Sequence, residues 1–248
     1  SKGDIIIPLA QDDIFIDETC ASKIVAFFQS TGCAICTAKR IGELTGKQYP
    51  GDFDSKLLQE GNLNKMLLRS MIRNFISGSV LYFDKDKLYS QQKPIFNNNY
   101  ILLENYPLIL HCLSNGIRIE YIDEILLCYG EEGVSSKKNG VSLKLLNDEI
   151  KLYYQTILPL SQKIQSKVIR SYIYYQYTKL QDGYNRKQGL KSVFSKKYLI
   201  KNLDLLCLVC IMMVYSCCRK KKGKEDRYRI IFQIFHFTQK KDMINKES

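Results

Sequence analysis

Histidine is scarce: only His111 and His236 occur in 248 residues. A Ser/His or Cys/His nucleophile system therefore has little to build on. His111 lies among Leu110 and Cys112, so it reads as a partly buried, hydrogen-bonded structural residue. A disulfide framework is missing too, because the nine cysteines are odd in number and Cys20, Cys112 and Cys128 sit in apolar company. That pattern fits a reducing cytosol. Two CxxC spacings, Cys33/Cys36 and Cys207/Cys210, lie in a strand-like stretch and a hydrophobic run, without the turn residues that surround a zinc site. Their setting speaks against zinc or redox chemistry. No signal peptide and no internal repeat are visible, and the first residue is Ser1 rather than an initiator Met. The expectation is that further sequence lies upstream.

What is present is the composition of a globular protein, with 45% hydrophobic and 25% charged residues. The formal charge of +12 is unevenly placed: residues 1–150 carry a net −3 and residues 151–248 a net +15. Basic character thus belongs to the C-terminal part alone.

Asp4–Ala10 is a short continuous apolar run, the pattern of a strand buried on both faces, and it stops at Gln11, Asp12 and Asp13. Acids at a strand's C-terminal end stand where open α/β sheets gather ligands. A helix is expected over Glu18–Ser30, a strand near Ala34–Ala38, and then a polar loop punctuated by Gly42, Gly46, Pro50 and Gly51. The order is β-α-β. A second helix over Asn62–Arg73 leads into a strand, Asn74–Phe83, interrupted by Ser77, Gly78 and Ser79, where glycine permits close approach. Leu103–Asn115 has helical spacing, with Asn115-Gly116 as its C-cap. Tyr121–Tyr129 returns as a strand, and Leu143–Leu158 is a helix ended by Pro159.

In this order the strand ending LAQDD, the strand FISGSVLYF, the helix LLENYPLILHCLSNG, the strand IRIEYIDEILLCYG and the loop EEGVSS resemble the second half of a family 2 glycosyltransferase catalytic domain, of the bacterial polysaccharide-building kind. The resemblance runs from about Gly3 to Pro159. It implies an α/β fold, a partial GT-A (Rossmann-like) domain over residues 1–160, followed by a basic helical extension over residues 161–248. Members place roughly a hundred residues ahead of the acidic motif, which accords with the span of a whole domain. The resemblance therefore implies an N-terminally incomplete enzyme.

Residue by residue, Asp12 and Asp13 resemble the family's cation-binding acids, with Gln11 beside the ribose and diphosphate of the donor. Mg²⁺ or Mn²⁺ there neutralises the leaving nucleoside diphosphate. Ala10 stands where members often have another Asp. Ser77, Gly78 and Ser79 resemble the small-residue strand lining the sugar pocket. Glu104-Asn105 aligns with the Glu-Asp pair over the acceptor site, whose second member is the general base. An Asn amide accepts no proton, which leaves Glu104 as the candidate catalytic carboxylate. The bland readings stand beside these: Asp12 and Asp13 as caps, Glu104 as a helix-start carboxylate, Ser77–Ser79 as a bulge.

The implied function is inverting transfer from a nucleoside diphosphate sugar to a glycan or lipid-linked acceptor in cell-surface polysaccharide synthesis. A non-catalytic remnant of such an enzyme is the alternative. The apolar segment Leu205–Cys218 is followed by Arg219-Lys-Lys-Lys222 and by Ile230–Phe237. As a helix it would rise only about 21 Å against a hydrocarbon core of roughly 30 Å, so an anchor lying on an anionic membrane surface is expected, or else a helix packed under the domain. The expected location is cytoplasmic, at the inner face of the cell membrane, because nucleotide sugars are cytosolic. A basic nucleic-acid module is a third reading. Tyr172, Tyr174, Tyr175 and Tyr177 stand among Lys and Arg, but no compact binding motif accompanies them, so no nucleic-acid partner is expected.

Overall fold

The computed structural model describes residues 3–91, 100–131, 142–191, 193–218, 231 and 233. The chain forms two compact units, Ser1–Leu145 and Leu146–Ser248. The first is a mixed α/β unit.

Its sheet has the order β1-β5-β3-β6-β2, with β4 on β3. The strands are β1 (Ile5–Ile6), β2 (Ile14–Phe15), β3 (Ile35–Gly42), β4 (Gln48–Tyr49), β5 (Leu81–Asp84) and β6 (Glu120–Tyr129). Among the described strands only β3 and β6 pair in parallel; β5 and β4 run antiparallel to β3, β1 to β5, and β2 to β6. The β3–β6 register shifts between Ala38 and Arg40, and such an irregularity re-aims the side chains beyond it.

Helix α1 (Cys20–Thr31) forms on the expected apolar stripe and ends at Gly32, whose φ of 65° suits the left-handed cap. Its Cys20, Ile24 and Phe28 pack on Cys36, Ala38, Tyr82, Ile122 and Leu126 of the strands. Helix α2 (Asp52–Glu60) lies in the stretch read as polar loop. Pro50 and Gly51 suggest a turn, but Asp52 and Asp54 occupy the first helical turn, where the helix dipole favours acids. Helix α3 (Leu63–Ile72) starts at Asn62, whose side chain accepts from the Lys65 N–H.

Between α2 and α3, Arg69 makes a bidentate pair with Asp54, Nε to Oδ1 at 2.8 Å and a second guanidinium nitrogen to Oδ2 at 2.9 Å. Both residues are buried. A third guanidinium contact reaches the Arg73 carbonyl at 2.9 Å.

Two strand expectations are corrected. Asp4–Ala10 contributes only Ile5–Ile6, an edge strand with Leu9 exposed, so it is not buried on both faces. Ile5 and Ile7 pack on the core, while Pro8 has no N–H for a ladder. Asn74–Phe83 yields a strand only from Leu81, because Gly78–Val80 closes a 3-10 turn, with the Val80 N–H on the Ser77 carbonyl. Helix α4 (Lys85–Gln91) follows β5, and α5 (Asn105–Ser114) precedes β6. Tyr106 of α5 donates its hydroxyl to the Ser70 carbonyl of α3, and Tyr121 of β6 donates to Ser55 of α2.

The second unit is helical: α6 (Leu143–Leu152, straddling the boundary), a π-helical stretch Tyr153–Ile157, α7 (Leu158–Ser161), α8 (Lys167–Lys187), α9 (Phe194–Lys201) and α10 (Leu203–Cys218). Pro159 does not end the helix as expected; it sits in the first turn of α7. A widened turn just before a proline lets the backbone continue without the N–H that proline lacks. Among the described residues no helix is long and apolar enough to cross a membrane. On α10, Leu205, Leu208, Val209 and Met212 are buried, whereas Leu203 and Ile211 are exposed. The expected segment Ile230–Phe237 lies outside the described residues apart from Ile231 and Gln233.

Candidate functional site

The site is a product of strand direction. Because β1 and β3 both run antiparallel to β5, they run parallel to each other, and β6 runs parallel to β3. Gln11–Asp13 after β1, Gly42 at the end of β3 and Gly130 after β6 therefore leave the sheet at one edge, and the turn Gly78–Val80 enters β5 there. This is the carboxyl edge at which open α/β sheets bind ligands.

The two acids have different surroundings. Asp13 is 4% exposed; its Oδ1 accepts from the Gly130 N–H at 3.2 Å, and its buried Oδ2 has no hydrogen-bond partner among the described residues. Burial pushes its carboxyl above the usual range, with the Gly130 N–H and Arg40 pulling the other way. Asp12 is exposed, and so is Gln11. A Cβ at Gly130 would meet the Asp12 carbonyl oxygen at 2.5 Å and its Cβ at 2.6 Å, so only glycine lets these two loops touch.

The second pair of sequence motifs also meets. A Cβ at Gly78 would collide with the Asn105 Nδ2, so the Asn105 side chain rests directly on the small-residue turn. Beside it the Ser77 and Ser79 hydroxyls are 3.0 Å apart. Glu104 is the N-cap of α5, exposed and without a capping hydrogen bond from its side chain. His111 is partly buried as expected, but among the described residues its buried Nε2 has no hydrogen-bond partner, so the expected hydrogen bond is not made at that nitrogen.

Sequence reasoning missed Arg40. The bulged register of β3 carries its guanidinium over the Tyr129 ring, 3.7 Å from the centroid, with the Tyr49 ring at 5.0 Å. Three strands contribute: β3, β4 and β6. Among the described residues its buried Nε has no hydrogen-bond partner, and desolvation lowers its hold on the proton below that of an ordinary arginine. Cation–π attraction to both rings helps hold the planar guanidinium in place. No local spacing announces it, since the three residues meet only through strand pairing. Glu131 stabilises the neighbouring turn by accepting from the Leu44 and Thr45 N–H groups at 2.9 and 2.8 Å.

No family model matches the chain, and none of the curated proteins matches it. The chemistry of the edge therefore rests on its own residues. Among the described residues no three His, Cys, Asp or Glu side chains come together as a complete cation cage. The edge nonetheless fits a hard divalent cation, because such an ion commonly takes one or two protein carboxylates and completes its shell with water and substrate phosphate. Asp12 offers a surface carboxylate, and Asp13 keeps one oxygen without a hydrogen bond. Arg40 adds a fixed positive group near Asp13, suited to an anionic ligand.

Proposed function

We propose that the carboxyl edge of the sheet binds the diphosphate of a nucleoside diphosphate sugar, and that the chain is a glycosyltransferase-like protein of family 2 with part of a GT-A domain. The observation that carries this reading is the convergence of Gln11–Asp13, Gly130, Gly78–Val80 and α5 at one sheet edge. Asp12 and Asp13 would hold the Mg²⁺ or Mn²⁺, Asp13 through the oxygen that the Gly130 N–H does not occupy. When bound, the cation neutralises charge on the departing nucleoside diphosphate. Ser77, Gly78 and Ser79 line the sugar side, Gln11 contacts the donor, and Glu104 is the candidate catalytic carboxylate toward the acceptor. The acceptor is a glycan or lipid-linked hydroxyl.

Asn105 favours a second reading, a binding protein that no longer turns over. The amide at that position accepts no proton, and Glu104, one residue back on the helix, faces a different direction. Both readings require the same binding event.

Calorimetric titration of the full chain with diphosphate and with a panel of nucleoside diphosphates, each with and without Mn²⁺, tests it. Cation-dependent binding is expected, abolished in Asp12→Ala with an unchanged melting temperature. Asp13→Ala should in addition lose about 1–3 kcal/mol of stability, because the Gly130 N–H is left unpaired. No cation-dependent heat from any member of the panel would sink the reading.

The second unit supports an anionic membrane surface as a partner. Phe194, Ile200 and Leu203 are 56%, 70% and 71% exposed, and Lys196, Lys197 and Lys201 are exposed on the same short stretch. Apolar insertion beside lysines suits anionic headgroups at the cytoplasmic face. Vesicles containing phosphatidylserine should sediment the protein, neutral vesicles should not, and high salt should release it. Equal binding to both vesicle types would remove the lysines from the account.

A further inference from the structure

The hairpin loop between β3 and β4 holds an anion supplied by the chain itself. Two glycine contacts close the loop: the Gly42 N–H donates to the Lys47 carbonyl at 2.9 Å, and the Gly46 N–H to the Gly42 carbonyl at 2.8 Å. The next two N–H groups, of Leu44 and Thr45, both donate to the Glu131 Oε2, at 2.9 and 2.8 Å. The Thr45 hydroxyl donates to the other carboxylate oxygen at 3.0 Å. Successive N–H groups that converge on one anion form a nest, a concavity that serves phosphate as readily as carboxylate.

Two cations flank this nest. Residues i and i+2 of a strand share a face, so Arg40 stands beside Gly42 on the same side of β3. A Cβ at Gly42 would lie 2.8 Å from the Glu131 carboxyl carbon, which places the bound carboxylate on that side too. Tyr129, whose ring lies under the Arg40 guanidinium, is the strand partner of Gly42. Lys47 ends the loop with its ammonium 5.2 Å from the centroid of the Tyr49 ring, which Arg40 also faces. The two oxygens of Glu131 satisfy the three loop donors, and the Arg40 Nε is left without a partner among the described residues. A phosphoryl group has a third terminal oxygen and a second negative charge, which suit a nest and a guanidinium together.

We propose that the loop of residues 43–47, with Arg40 and Lys47, is a binding site for a phosphoryl group, and that Glu131 is its autoinhibitory occupant, displaced when phosphate binds. Glu131 leaves by rotating its own side chain, and β3 and β6 keep their pairing. The site neighbours the acidic loop, because Gly130 touches Asp12. It uses no cation, so it stands separately from metal binding at Asp12. The apparent affinity for phosphate is reduced by the fraction of molecules in which the nest is open. Removing the Glu131 charge therefore tightens phosphate binding.

The test titrates the ¹⁵N-labelled full chain with inorganic phosphate, diphosphate or acetate, in EDTA and at constant ionic strength. The Leu44 and Thr45 amide resonances are expected to move saturably with phosphate and diphosphate and to stay in place with acetate. Glu131→Gln keeps an acceptor oxygen for the loop but loses the charge. Its affinity for phosphate should rise about tenfold, since a neutral acceptor holds N–H groups roughly half as strongly as a carboxylate. Adding Arg40→Gln to that variant should cancel the gain. In EDTA, Asp12→Ala should bind phosphate like the wild type, so failure of the metal site and failure of the nest are told apart. Acetate moving the two amides as far as phosphate does would overturn the proposal. So would a Glu131→Gln protein of unchanged melting temperature that binds phosphate no more tightly than the wild type. If Glu131→Gln does not fold, the wild type decides: Leu44 and Thr45 amides that ignore both phosphate and diphosphate overturn the site.

Discussion

Arg69→Ala is expected to lower the stability of the protein by about 3–5 kcal/mol, the range for breaking a buried ion pair by removing one partner. Arg69 and Asp54 are 3% and 7% exposed and satisfy each other through two hydrogen bonds, and a third guanidinium contact caps the Arg73 carbonyl. Removing the guanidinium leaves a carboxylate in the core between α2 and α3 with its chief cation gone. It also frees the last turn of α3. Replacing both members with apolar residues, Asp54→Leu with Arg69→Met, should recover much of the loss, since the desolvation cost of the pair disappears along with its attraction. Urea unfolding followed by circular dichroism measures each variant. If the single variant lost less than about 1 kcal/mol, the value typical of an exposed pair, the burial of this pair would be disproved.

Asn105→Asp is the second large effect. If the sheet edge is that of a sugar transferase, restoring a carboxylate at the head of α5 should raise the rate of nucleoside diphosphate release by about 10²–10⁴-fold, the usual contribution of a general base. The substitution is isosteric, so the side chain keeps its seat on Gly78. The helix N-terminus favours the new charge. Initial rates with Mn²⁺ and a panel of nucleotide sugars give the comparison, with Asn105→Ala as the control for packing. An Asn105→Asp variant that binds diphosphate like the wild type but turns over no faster would leave the non-catalytic reading standing.

Periodicity and capping made α1, α3, α5 and β6 legible from the sequence. The expected helices over Glu18–Ser30 and Asn62–Arg73 and the expected strand Tyr121–Tyr129 match α1, α3 and β6 to within two residues at each end. Continuous apolar runs were less informative. They report burial, but not which backbone groups pair, so Asp4–Ala10 and Asn74–Phe83 read longer as strands than they are. Helix α2 was hidden because Pro50 and Gly51 outweighed a short stripe of Phe53, Leu57 and Leu58.

At the candidate site the acidic pair and the small-residue turn stood out as motifs, but their geometry did not. Adjacent residues with identical side chains, Asp12 and Asp13, part company only once β2 turns one of them inward against Gly130. The Arg40 stack depends on a register shift between β3 and β6, a property of pairing rather than of any segment. Gly78 likewise reads as a bulge until α5 delivers Asn105 onto it.

The contact between Gly130 and Asp12 carries a constraint on how this protein can change over time. The missing Cβ at one end of the unit makes room for the backbone at the other, so the two positions form a single inheritable feature. A side chain gained at 130 must be accompanied by a shift of the acidic loop, and a lineage that keeps Asp12 in place is obliged to keep glycine opposite it.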